Sequence, residues 1–90
     1  MRVAKTIKKK LIMALRPDEL HIEDESQLHS GHSGARSEGE SHFRVKIVSD
    51  AFVGMSRIER QRSVYHILAD EMQSDIHALA LTTLTRSENK

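Results

Sequence analysis

The apolar residues of this chain change their period from element to element, and the order of those periods constrains the fold more than any single residue does. Val3, Ile7, Leu11 and Leu15 recur at four-residue spacing, with Ala14 beside them and the lysines on the other side, which predicts an amphipathic helix. Arg16-Pro17 ends it, because proline pushes the residue before it out of helical space. From Leu20 to Glu25 apolar and polar residues alternate, as in a half-buried strand. The run SQLHSGHSGARSEGE, Ser26 to Glu40, has three of the chain's four glycines and no apolar period, which predicts a flexible His-containing loop over 27–40. Phe43, Val45 and Ile47 then alternate with His42, Arg44 and Lys46 in a second strand that breaks between Asp50 and Gly54.

A second helix is predicted from Ser56 to Met72. Ile58, Tyr65, Leu68 and Met72, joined by Val64 and Ile67, trace one face, and Ser56 with Glu59 has the spacing of a capping box. The segment from Ile76 to Thr83 alternates weakly and reads as a third strand, leaving a polar tail at 86–90. Strands one and two are joined without a helix and should pair antiparallel, whereas strand three follows a helical crossover and should lie parallel to one of them. The expected fold is α+β: a single αββαβ domain over 1–90, a three-stranded mixed sheet with both helices on one face. Ninety residues leave room for a thin core and argue against a deep cleft.

Charge and composition narrow the function. The net charge of +1 hides a basic head, with six Lys and Arg before Asp18, and an acidic middle, with seven acids against Arg36 alone from Asp18 to Glu40. That head reads first as the solvated face of a helix and second as a nucleic-acid contact. The apolar run Leu11 to Leu15 is too short for a secretory signal, and no stretch is long enough to span a membrane, so a cytoplasmic protein is expected. The acid-free amphipathic start also overlaps with mitochondrial presequences. The chain has no cysteine, which excludes disulfides, a thiol nucleophile and an all-cysteine iron–sulfur site.

No nucleophile elbow, Walker loop or dinucleotide fingerprint is present, and Gly31-His32-Ser33-Gly34 leads into a strand rather than a helix, so an enzyme is not expected. The six histidines are the compositional oddity. His29 and His32 lie three apart in the loop and His42 opens the strand after it, a ligand-like spacing that solvated loop histidines also produce. His77 shares a face with Leu79 and Leu81 and should be half-buried at the sheet's end, the usual place of a structural histidine. His21 and His66 receive no role. Arg57, Arg60 and Arg62, at the start of the second helix, form a candidate phosphate-binding cluster, although Arg62 lies well round from the other two and few aromatics accompany them.

Glu40-Ser41-His42-Phe43, Val48-Ser49-Asp50, Phe52-x-Gly54, Arg60-x-Arg62 with Tyr65, and Ile76-His77-Ala78-Leu79-Ala80-Leu81 together closely resemble the BolA family, over essentially the whole chain. The resemblance implies a fold like the class II KH domain. It also implies pairing with a monothiol glutaredoxin around a shared two-iron two-sulfur cluster, in cluster trafficking or iron sensing, with no cofactor in the isolated chain, which would be a monomer or weak homodimer. DNA-binding transcriptional regulation, linked to stress response, is the alternative it carries. His77 matches the family's C-terminal cluster histidine, His29 its loop histidine with His32 as a competitor, and His42 the histidine of its Ser/Thr-His-Phe motif, as ligand or support. The chain departs from the family at Gln61, where members usually have histidine, and in the length of its loop. Glutaredoxin cysteine and glutathione would supply the two remaining ligands, and imidazole in place of thiolate should raise the cluster's reduction potential. Neutral imidazole is the ligand, so binding should weaken as pH falls towards about 6.5.

Overall fold

The computed structural model of the chain describes residues 2–25 and 41–89, and it opens on helix α1, Arg2–Leu15. Val3, Ile7, Leu11 and Leu15 are buried, as their spacing requires, and Lys5, Lys8 and Lys9 stand in solvent on the other side. Two residues of the basic head are ion-paired: Arg2 with Asp75 at 3.2 Å, and Lys10, whose Nζ lies 2.7 and 2.9 Å from the Glu71 carboxylate. Hydrogen bonding to Glu71 raises the Lys10 pKa. At the helix end Arg16 takes a left-handed φ of 45° and donates its N–H to the Ile12 carbonyl at 3.0 Å, which stops the chain ahead of Pro17.

Strands β1 (Glu19–Asp24), β2 (His42–Val48) and β3 (Ala78–Leu84) form the sheet in the order β1-β2-β3. β1 pairs antiparallel with β2, and β3 parallel with β2, so the mixed sheet is as expected and β2 is its centre. The register sets Leu20 against Ile47 and Ile22 against Val45, with Leu79 and Leu81 beside Phe43 and Val45 on the other flank. That face carries the core, against Val3, Ile7, Leu11 and Leu15 of α1 and Val64 and Leu68 from the second helical segment. Each fully buried side chain of this size contributes about 1.5–3 kcal/mol.

After β2, Ser49 leads a short 3₁₀ turn, Asp50–Phe52, which drops Phe52 into the core, and Gly54, at φ 82°, reverses the chain. Helix α2 (Arg57–Ile67) starts with the capping box that Ser56 and Glu59 predict: the Glu59 N–H donates to Ser56 Oγ at 3.1 Å, and the Ser56 N–H to Glu59 Oε1 at 2.7 Å. These bonds hold the Glu59 carboxyl below its ordinary pKa.

Three expectations need correction. The helix does not run unbroken to Met72; it breaks at Leu68 (φ −100°, ψ 21°) and resumes as α3 (Ala69–Gln73). The break leaves Leu68 in the core and lets Glu71 meet Lys10. Ile58 is 60% exposed, because six residues place it about 120° round the helix from Val64. β3 begins at Ala78, not Ile76; Ile76 is a buried anchor before the strand and donates its N–H to the Glu71 carbonyl at 2.8 Å. Among the described residues no helix is long and apolar enough to cross a membrane.

Candidate functional site

Parallel pairing of β2 with β3 brings the two strand starts to one corner of the sheet. The N–H groups of His77 and Ala78 both donate to the Ser41 carbonyl, at 2.6 and 3.2 Å, and the Glu25 N–H donates to the His42 carbonyl at 2.7 Å. The His42 and His77 rings consequently lie 5.3 Å apart between centroids, tilted by 50°. His42 is buried, with Nδ1 2.9 Å from the Ser41 hydroxyl, a contact that orients the imidazole. His77 is exposed, which corrects the expectation of a half-buried histidine: it precedes the first residue of β3, so the pleat does not bind it to the face of Leu79 and Leu81.

His29 and His32 lie outside the described residues. The segment that carries them is joined at Glu25 and Ser41, and both of those residues belong to this corner. Among the described residues there is no group of three or more His, Cys, Asp or Glu placed to hold a metal ion. His21 and His66 are exposed, and His21 Nε2 lies 3.9 Å from the Glu19 carboxylate.

The arginine cluster divides. Arg57 and Arg62 are exposed, but Arg60 is drawn inward, its side chain only 11% exposed. Its guanidinium donates to the Met55 and Thr83 carbonyls, each at 3.1 Å, and to both oxygens of Glu88 at 2.6 and 3.2 Å, and it lies 5.8 Å from the Phe52 ring centroid. Arg60 thus ties α2 to β3 and to the end of the chain. Arg57, Ile58 and Gln61 face Leu81 to Leu84 across a groove of about 570 Å³.

Glu88, in the polar tail, is a further residue of this groove. The tail does not simply trail from β3: Thr85 and Glu88 make reciprocal bonds, the Thr85 N–H to Glu88 Oε1 at 2.8 Å and the Glu88 N–H to Thr85 Oγ1 at 3.4 Å. Thr85-Arg86-Ser87-Glu88 has the T-x-x-E spacing of a capping box, a signal present in the sequence. Arg60, followed by the Thr85 N–H, holds the Glu88 carboxyl at a pKa of about 2.

The chain is similar in sequence and fold to known proteins. The family model for BolA-like protein matches residues 11–88. Over 88 residues the chain is 46% identical to the chloroplastic protein BOLA1 of Arabidopsis thaliana, covering 96% of this chain and 55% of that relative, so it spans about half the relative's length. It is 41% identical over 88 residues to the DNA-binding transcriptional regulator BolA of Escherichia coli (strain K12), covering 98% of this chain and 80% of the other. The solved BolA domain of SufE1 from Arabidopsis thaliana superposes with a TM-score of 0.88 at 42% identity, over 98% of this chain and 96% of that one. A family match over residues 11–88, 46% identity to a BolA relative and a shared fold at a TM-score of 0.88 make this chain a member of the BolA family.

Proposed function

We propose that the chain is an adaptor, not a catalyst, which binds a monothiol glutaredoxin and contributes two imidazoles to a shared two-iron two-sulfur cluster: His77, with His29 or His32. The observation that carries this reading is the exposed His77 at the corner where the 26–40 segment is anchored. The donor set fits: a chain without cysteine offers nitrogen only, and thiolates from glutaredoxin and glutathione complete four ligands. Such a cluster carries less negative charge than an all-thiolate one and serves transfer or sensing better than low-potential electron transport. His42 acts as support: it is buried beside the exposed His77, and Ser41 orients its ring.

The test is reconstitution with a monothiol glutaredoxin and glutathione, followed by visible absorption and circular dichroism. His77→Ala should lose the mixed-ligand spectrum and keep its far-UV spectrum and melting temperature, because the residue is exposed. His29→Ala and His32→Ala then identify the loop ligand. A wild-type cluster spectrum in His77→Ala overturns the proposal.

A second reading, DNA binding, is favoured by the exposed Arg57 at the α2–β3 groove and by the similarity to a relative named as a DNA-binding regulator. The informative variant is Arg57→Ala with Arg62→Ala, since replacing Arg60 would also disturb the fold. Weaker binding with a shallower salt dependence supports phosphate contact, and unchanged binding removes this helix from consideration.

A further inference from the structure

The sheet's β1 edge carries a second surface, away from the histidine corner. The bond from Glu25 N–H to the His42 carbonyl fixes the phase of the antiparallel ladder, so Glu19, His21 and Glu23 turn their backbone groups to β2. The N–H and C=O groups of Leu20 and Ile22 consequently point off the edge, and among the described residues no strand pairs with them. The side chains of Leu20 and Ile22 are half-buried and, with Ala4, form the floor of a groove of about 290 Å³ between α1 and β1. Lys5 and Lys8 line its rim. Both are exposed, and among the described residues neither has an ion-pair partner, unlike Arg2 and Lys10 on the same helix.

We infer that this edge accepts an extended acidic segment of a partner protein as a fourth strand. A strand laid along β1 sends alternate side chains to the two faces of the sheet. Those on the helix side meet Leu20, Ile22 and the two ammonium groups, which suits apolar and acidic residues. Those on the other side lie beside Glu19, His21 and Glu23, where neutral or basic residues fit and acids are repelled. The same three positions disfavour a second copy of this chain, because pairing β1 with β1 would oppose two acid-bearing strands. Free backbone groups on Leu20 and Ile22 add a requirement for an extended polypeptide that neither a lipid surface nor a nucleic acid meets.

The probe is the peptide Thr-Glu-Thr-Val-Lys-Glu-Thr, titrated into the full ¹⁵N-labelled chain. Amide shifts and slowed hydrogen exchange are expected at Leu20 and Ile22, with affinity falling as salt rises. Lys5→Glu with Lys8→Glu, both on exposed sites, should keep the melting temperature and bind about tenfold more weakly. N-methylation of alternate peptide residues should abolish binding in one phase and spare it in the other, since an added strand turns only every second N–H to the edge. The inference is overturned by the absence of shifts at Leu20 and Ile22 up to millimolar peptide, or by undiminished binding in the double variant. It is likewise overturned if phosphatidylserine vesicles or single-stranded DNA engage Lys5 and Lys8 while the peptide does not.

Discussion

Ser49→Ala tests how the layers are joined. Ser49 is 1% exposed and sits where α1, β2, β3 and the 3₁₀ turn converge. Its hydroxyl donates to the Leu15 carbonyl at the end of α1, at 2.6 Å, and accepts the Ala51 N–H at 3.1 Å; its own N–H donates to the Leu84 carbonyl at 2.9 Å. Removing the hydroxyl leaves the α1 carbonyl without its donor and the turn without its cap, while the backbone bond to β3 survives. A buried polar group left unsatisfied costs about 1–3 kcal/mol, and a lost cap about 1 kcal/mol. The two losses share one oxygen and are not fully additive, so about 2–3 kcal/mol is expected. For a domain of this size that corresponds to a fall of about 10–20 °C in melting temperature. Urea denaturation followed by far-UV circular dichroism measures it, with an unchanged m-value as evidence that both states keep their compactness. Ser74→Ala is the control: its exposed hydroxyl donates to the Asp70 carbonyl at 2.9 Å, and its loss should stay within about 0.5 kcal/mol. A Ser49→Ala effect as small as that control would refute the reasoning.

Leu68→Ala should destabilise by about 2–5 kcal/mol and Ile58→Ala by less than about 0.5 kcal/mol, although both lie on the apolar stripe read from the sequence; equal losses in urea melts would contradict the placement of α2. The Glu88 carboxyl has a folded pKa of about 2 against an ordinary 4.5, so its contribution is complete above about pH 4.5 and disappears as pH falls through about 2. The stability difference between the wild type and Glu88→Gln should therefore be largest near neutrality and shrink across that window, and a difference that does not vary with pH would count against the Arg60–Glu88 pairing. Arg60→Ala should lower the melting temperature, whereas Arg57→Ala with Arg62→Ala should leave it unchanged.

Much of the framework was legible because it rests on local periods. The four-residue spacing of Val3, Ile7, Leu11 and Leu15, the two-residue alternation at Phe43, Val45 and Ile47, and the boundary at Pro17 each follow from the geometry of one element. The box at Ser56 and Glu59 was readable for the same reason, and Thr85 with Glu88 could have been. Ile58 shows the limit of a period read by residue type: it lies in the helical window but about 120° from Val64, and so in solvent. The candidate site was legible as residue types, through His77, His42 and the family motif, but not as an arrangement.

The arrangement depends on register and packing, which no short stretch of sequence contains. Nothing local to residue 42 or residue 77 reveals that their rings lie 5.3 Å apart; that follows from the parallel pairing of His42 with Ala78. Sequence left open which strand β3 would join, and the tertiary structure places β2 in the middle, where its nearly continuous burial is satisfied from both flanks. Helical spacing separates Arg62 from Arg57 and Arg60, but only the packing of α2 over β3 turns Arg60 inward while leaving Arg57 and Arg62 in solvent. Which elements form is set locally, because periodicity, capping and proline sterics act within a few residues. Which side chains meet is set by packing across the fold, because burial is shared among segments far apart in the chain and selects one register from several that local forces allow.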